Sequence, residues 1–201
     1  MQLPFNFAIF IKMRDYMIKD QKIIPAISHH QDLKAFLSSP LKYGILMNFQ
    51  LAQLEDLVLL MKAHKKRVLI HAELIKGLSS DEFGAIYLIQ KLKVDGIISS
   101  KPKVIDICKK RGVMGIFRFF LKDSMSLEQS MELVRKLSPD LIEILPASAI
   151  EIMDELKQLS QHDIILGGLI KDEKQIKNLL SRGATAVTTS KKELWLSHVN
   201  Q

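Results

Sequence analysis

The sequence predicts an α/β protein: a compact (β/α)8 barrel of the TIM type, preceded by an extra N-terminal segment. Three observations carry this. Eight short apolar runs alternate with helix-like runs from Lys22 onward, and that alternation argues a parallel sheet, whose neighbouring strands need helical crossovers. Eight units suit closure into a barrel. The connections are short, as βα loops are. At about 180 residues the barrel lies below the usual size of this architecture. An open doubly wound sheet is the alternative, but neither GxGxxG nor GxxxxGK[ST] occurs, so the two strongest nucleotide signatures are missing.

The units follow in order. "KIIPAI" precedes "SHHQDLKAFLSS", and "YGILMNF" precedes the periodic "LAQLEDLVLLMKAHKK". "RVLIHAEL" precedes "SSDEFGAIYLIQKLK", where Ser79 and Ser80 before Asp81 and Glu82 read as a cap with an acidic first turn. "VDGIISS" precedes "KPKVIDICKKRG", and "VMGIFRFFL" precedes "SMSLEQSMELVRKLSP". "DLIEIL" precedes "ASAIEIMDELKQLSQ", "DIILGG" precedes "KDEKQIKNLLSRG", and "ATAVTTS" precedes "KKELWLSH". Gly112 and Gly183 stand where helix-ending glycines belong, after basic last turns. Residues 1–20 fall outside this rhythm and read as an N-terminal extension; residues 21–201 read as one barrel domain.

The single cysteine, Cys108, excludes a disulfide within the chain and fits a reducing, cytoplasmic setting. It lies in a helical pattern and reads as a small core residue rather than a nucleophile. No apolar run reaches the ~18 residues of a membrane helix, so no membrane is expected. The first residues lack the basic start and cleavage site of a signal peptide. The formal charge of +7 permits an anionic partner, although lysines on solvated faces explain it as well.

In such barrels chemistry sits at the C-terminal strand ends. Strand 3 ends with His71 and Glu73, read as two apart on one face. Lys101 follows strand 4, either as a cation for the site or as a solvated helix start. Arg118 in strand 5 and Glu143 in strand 6 are charges within apolar runs, which are rarely buried unpaired. A structural ion pair and a ligand contact remain equally open for them. Gly167 and Gly168 end strand 7, and Thr188, Thr189 and Ser190 end strand 8. The loops after strands 7 and 8 form the common phosphate site of these barrels, with backbone N–H groups and hydroxyls as donors. His71 with Glu73 is too small a set for a metal site. His71 reads as a general base or as a hydrogen-bonded core histidine. No catalytic residue, metal or cofactor is assigned.

"HAELIKGL", "DGIISSK", "FRFFLKDS", "EILPA", "GGLI" and "AVTTSKKELW" occur in this order. The ordered set resembles the glycerol-3-phosphate responsive antiterminator family over about residues 22–195. The resemblance implies a TIM-type barrel that senses glycerol 3-phosphate and acts on leader mRNA of glycerol-catabolism genes, letting transcription pass a terminator. Its effector would sit with its phosphate on Gly167, Gly168, Thr188, Thr189 and Ser190. His71, Glu73, Lys101, Arg118 and Glu143 would hold the glycerol or shape the mouth. Three positions depart from the family pattern: Glu73 and Asn48 stand where Asp is common, and Ala147 where Gly is. The basic stretches "HKKR" (His64 to Arg67) and "CKKR" (Cys108 to Arg111) suit RNA, or are simply basic helix ends. A homodimer is a candidate assembly. A phosphosugar isomerase or lyase is the alternative function, with His71 and Glu73 or Glu143 as its only acid/base candidates.

Overall fold

The computed structural model describes residue 18 and residues 20–197. The strands are β1 (Ile23–Ile27), β2 (Tyr43–Leu46), β3 (Arg67–His71), β4 (Gly96–Ser99), β5 (Met114–Phe120), β6 (Leu141–Leu145), β7 (Asp163–Gly167) and β8 (Ala186–Thr189). The helices between and after them are α1 (His30–Ser38), α2 (Leu51–Ala63), α3 (Glu82–Ile86), α4 (Pro102–Arg111), α5 (Ser124–Leu137), α6 (Met153–Leu159), α7 (Glu173–Ser181) and α8 (Lys192–Ser197). The strands close in chain order into one parallel barrel, β1 pairing with β8. The open sheet is thereby excluded.

Strand alternation divides the apolar residues into two layers. Ile24, Ile45, Leu69, Ile98, Ile116 and Ile165 form the cluster inside the barrel, while Val68, Ile70, Phe117, Ile142 and Ile144 belong to the larger cluster under the helices. Cys108 is fully buried in that outer layer, as a core residue should be. Trp195 of α8 is buried there too.

The N-terminal end of the barrel is a closed floor. Ile18, 2% exposed, packs into the inner cluster with Ile24 and Tyr43, so at least this residue of the segment read as an extension joins the packed body. Residues 1–17 and 19 of that segment lie outside the described residues. Gln21 locks the floor. Its amide nitrogen donates to Ile23 O and Tyr43 O, and its oxygen accepts from the N–H groups of Lys42 and Tyr43.

Local chemistry differs from the sequence expectation in two places. Strand β3 ends at His71, and Glu73 lies on a 3-10 turn, Ala72–Leu74. The next helix is capped by Asp81, whose carboxylate accepts from Phe83 N and Gly84 N; Ser79 Oγ only donates to Asp81. That helix widens into a π turn over Tyr87–Lys91. Gly112 takes a left-handed φ of 67° and Gly183 one of 103°, which ends α4 and α7 without a Cβ penalty. No helix among the described residues is long and apolar enough to cross a membrane.

Candidate ligand site at the barrel mouth

The register of three strands builds the site. Alternation points Met114, Ile116 and Arg118 of β5 inward, as it does Leu141 and Glu143 of β6. Arg118 pairs in register with Glu143, and Gly167 of β7 pairs with Thr188 of β8. The charges therefore meet inside the barrel, one layer above its apolar filling. Glu143 is only 3% exposed. Its Oε1 accepts from Thr188 Oγ1 at 2.7 Å, and its Oε2 lies 3.6 Å from Arg118 Nε. The guanidinium also lies over the Phe120 ring, 5.3 Å from its centroid.

Gly167 answers to this arrangement. A Cβ there would collide with Thr188 Oγ1 and stand 3.3 Å from Glu143 Oε1. Only glycine leaves room for the threonine–glutamate hydrogen bond, so the role of Gly167 is to clear space inside the barrel. Gly168, with φ 77°, starts the turn out of the strand, and Leu169 follows with φ 57°. The Gly168 carbonyl accepts from Ala147 N, tying the turn to the loop after β6.

A cavity of about 270 Å³ opens at this mouth. His71, Arg118 and Glu143 line one side; Gly168, Thr188, Thr189 and Ser190 line the other. Gly167, Glu73 and Lys101 are not on its wall. Glu73 braces the rim: its Oε1 accepts from Ser99 Oγ at 2.5 Å and from Ser100 N at 2.9 Å, and its Oε2 lies 3.4 Å from His71 Nδ1. Lys101 is exposed at the start of α4, with its N–H donated to Ser99 Oγ.

Sequence reasoning missed Lys191, Leu169 and Ile170, which complete the β7–β8 side. Lys191 directly follows the Thr-Thr-Ser run, and that adjacency was the signal that could have found it. Its ammonium donates to Lys171 O at 2.9 Å, joining the two loops. Thr189 Oγ1 accepts from Lys191 N and shapes the second loop.

The side chains at the mouth keep unused hydrogen-bonding capacity. Among the described residues the buried polar side-chain atoms without a hydrogen-bond partner are His71 Nδ1 and Nε2, Glu73 Oε2, Arg118 Nε, Glu143 Oε2 and Trp195 Nε1. All but the last belong to this cluster. Such groups are costly to bury, and here three of the four residues in the cluster that carry them, His71, Arg118 and Glu143, line the cavity. Burial and the Arg118 charge push the His71 imidazole down to about 4, against the opposing pull of Glu73. It is therefore neutral near pH 7, with one nitrogen to donate and one to accept. Burial pushes the Glu143 carboxyl up, while Arg118 and the Thr188 hydroxyl oppose the shift.

The set suits recognition of a small polyol phosphate. Arg118, neutral His71 and Glu143 offer donors and acceptors for hydroxyls, and the β7–β8 loops offer main-chain and hydroxyl donors to an anion. Among the described residues no group of three or more His, Cys, Asp or Glu side chains could hold a metal ion. His71 at about 4 is also far from the value a general base needs near neutrality.

The model of the family described as glycerol-3-phosphate responsive antiterminator matches residues 23–195. The chain is similar to the solved glycerol uptake operon antiterminator regulatory protein from Listeria monocytogenes strain 4b F2365. The TM-score is 0.85 and the identity 34%, over 98% of this chain and 100% of that one. A glycerol uptake operon antiterminator-related protein from Thermotoga maritima MSB8 superposes with TM-score 0.74 at 25% identity, over 88% and 98% of the two chains. The uncharacterized protein YgcP of Escherichia coli K12 is 26% identical over 180 residues, 90% of this chain and 94% of that one.

Proposed function

Because this chain belongs to the glycerol-3-phosphate responsive antiterminator family, we propose that it is a glycerol-3-phosphate sensor that binds leader mRNA of glycerol-catabolism genes and lets transcription pass a terminator. The observation that carries the sensor part is that His71, Arg118 and Glu143 line a 270 Å³ cavity beside the β7–β8 loops while His71 Nε2, Arg118 Nε and Glu143 Oε2 make no hydrogen bond. Drug-sized ligands occupy about 300–1,000 Å³, so this cavity fits a smaller metabolite. In this reading the phosphate rests against Gly168, Thr188, Thr189, Ser190 and Lys191. The glycerol hydroxyls meet His71, Arg118 and Glu143. Gly167 and Glu73 act by positioning, the first through Thr188 and the second through His71. Lys101 has no part in it.

Binding rather than turnover is the role these groups support. An isomerase needs a base that is free to take a proton near neutral pH; His71 is held low, and Glu143, although pushed up by burial, has one oxygen on the Thr188 hydroxyl and the other beside Arg118. A Schiff-base lyase needs a desolvated lysine amine; the lysine on the cavity wall, Lys191, has its amine on a main-chain carbonyl. The protein works in the cytoplasm, where both its effector and nascent mRNA are found.

The test is a thermal-shift titration. Millimolar glycerol 3-phosphate should raise the unfolding midpoint, and the shift should keep growing with the logarithm of its concentration above Kd, whereas glycerol alone and phosphate alone should do so far less. An equal response to the three compounds, or no response, would remove the sensor reading.

A further inference from the structure

The two ends of the barrel differ in charge: the floor is strongly basic, while the mouth mixes lysines with carboxylates. Main-chain chemistry sets the trend, since carboxylates favour helix N-termini and cations favour helix C-termini. At the mouth the helix starts hold carboxylates: Asp81, Asp123 and Asp172 cap α3, α5 and α7, and Glu173 and Glu193 occupy first turns. At the floor the αβ turns before β3, β4, β5 and β6 lie side by side, because those strands are neighbours. Exposed Lys65, Lys93, Lys109 and Arg111 stand on the first three of these turns or in the last turn of α4. None of the four makes an ion pair among the described residues. Lys109 Nζ donates to a neutral carbonyl, Leu137 O, at 3.3 Å, which leaves its charge in place.

The turns are also mechanically joined. Lys62 Nζ bridges from α2 to the carbonyls of Leu92 and Lys93, and Arg67 pairs with Asp95 at 2.8 Å across β3 and β4. The cations thus sit on a braced surface rather than on separate loose loops, so little ordering cost would attend a ligand laid across them.

We infer that this floor surface, centred on Lys65, Lys93, Lys109 and Arg111, is where the RNA phosphate backbone docks, at the opposite end of the barrel from the effector. The inference rests on the RNA-binding part of the proposed function and adds its location. Fixed cations on a firm surface match a polyanion, whereas the lysines around the mouth are interspersed with the carboxylates that cap the helices there. Phosphate contacts of this kind give affinity without reading sequence, and no exposed aromatic residue on the floor is needed. Effector and RNA then never touch. Their influence on each other passes through the protein, and each must change the affinity of the other by the same factor.

The experiment uses fluorescence anisotropy with a labelled transcript of a glycerol-operon leader and the full chain, at several salt concentrations. The variant Lys65→Glu/Lys93→Glu/Lys109→Glu/Arg111→Glu should weaken binding at least tenfold. It should also flatten the salt dependence by about 0.7–0.9 in log–log slope for each phosphate that is no longer neutralised. A mouth-side control, Lys76→Glu/Lys103→Glu/Lys122→Glu, should bind like wild type. Both should keep the thermal shift with glycerol 3-phosphate, which reports an intact fold and mouth. Should the fourfold variant fail to fold, Lys93→Gln/Arg111→Gln should still weaken binding about threefold or more. Unchanged binding by the folded floor variants, or weakening confined to the mouth-side control, overturns the inference while leaving RNA binding intact. A wild-type protein that binds no transcript removes the RNA reading and this location with it. Displacement of the transcript by polyglutamate as effectively as by unlabelled transcript at matched charge would assign the floor to an acidic protein and overturn it too.

Discussion

Gln21 and Glu143 are both buried polar residues, one at the floor and one at the mouth, and they are treated in opposite ways. Gln21 commits its amide to four main-chain groups and closes its region. Glu143 commits one oxygen to Thr188 and leaves the other without a hydrogen bond, 3.6 Å from Arg118. His71 beside it engages neither ring nitrogen in a hydrogen bond. The floor is built to hold, whereas the mouth gives up stability to keep donors and acceptors ready. In one small barrel the two ends divide stability and recognition between them.

The division can be broken at the mouth first. Arg118→Met would leave the Glu143 carboxylate buried without its cation, at an expected cost of about 3–5 kcal/mol. Denaturant unfolding should show that loss, and the thermal shift with glycerol 3-phosphate should vanish. Gln21→Ala tests the other end. Stranding the N–H groups of Lys42 and Tyr43 should cost about 2–4 kcal/mol, yet the effector should bind with unchanged affinity by calorimetry. Weaker binding there would show that the ends are not independent. Gly168→Ala is milder. A side chain at φ 77° costs about 1–2 kcal/mol, and its Cβ would press on Leu145 Cδ2 at 3.1 Å. Weaker effector binding, several-fold in Kd, should accompany it.

The smallest effect is a dependence on pH. Folded, the His71 imidazole sits at about 4, below its ordinary 6.5. Between those values the unfolded chain binds more protons, so this contribution to stability is full above pH 6.5 and is lost as pH falls toward 4. Burial holds His162 down in the same sense, and Glu143, held up by burial, acts in the opposite sense above 4.5. Both remain in His71→Asn. Between about pH 7 and 5 the unfolding midpoint of that variant should therefore fall less than that of wild type. Parallel curves would mean that His71 is not held neutral.

The barrel was legible in the sequence because its signal is repeated: each strand–helix unit supports the count of the others. Arg118 and Glu143 were legible because a charge within an apolar strand is conspicuous. What connects them was not, since register is a relation between strands. The meeting of Gly167, Thr188 and Glu143 depends on β6, β7 and β8 lying at one height. Glu73 and Lys101 were placed in the site from their positions after strands, but the 3-10 turn sends the first to the rim and the helix start leaves the second in solvent. The basic words "HKKR" and "CKKR" could be found in the chain, while their location at the floor follows only from the direction in which the strands run.

The space beside Thr188 has a consequence for descent. Glycine at 167, threonine at 188 and glutamate at 143 are separated in the chain but form one steric and hydrogen-bonded unit. A methyl group introduced at 167 collides with the hydroxyl at 188, so Gly167→Ala should be tolerated far better beside Thr188→Ala than alone. In relatives these three positions should therefore change in company, and their joint state should mark which descendants of the barrel still read the same small molecule.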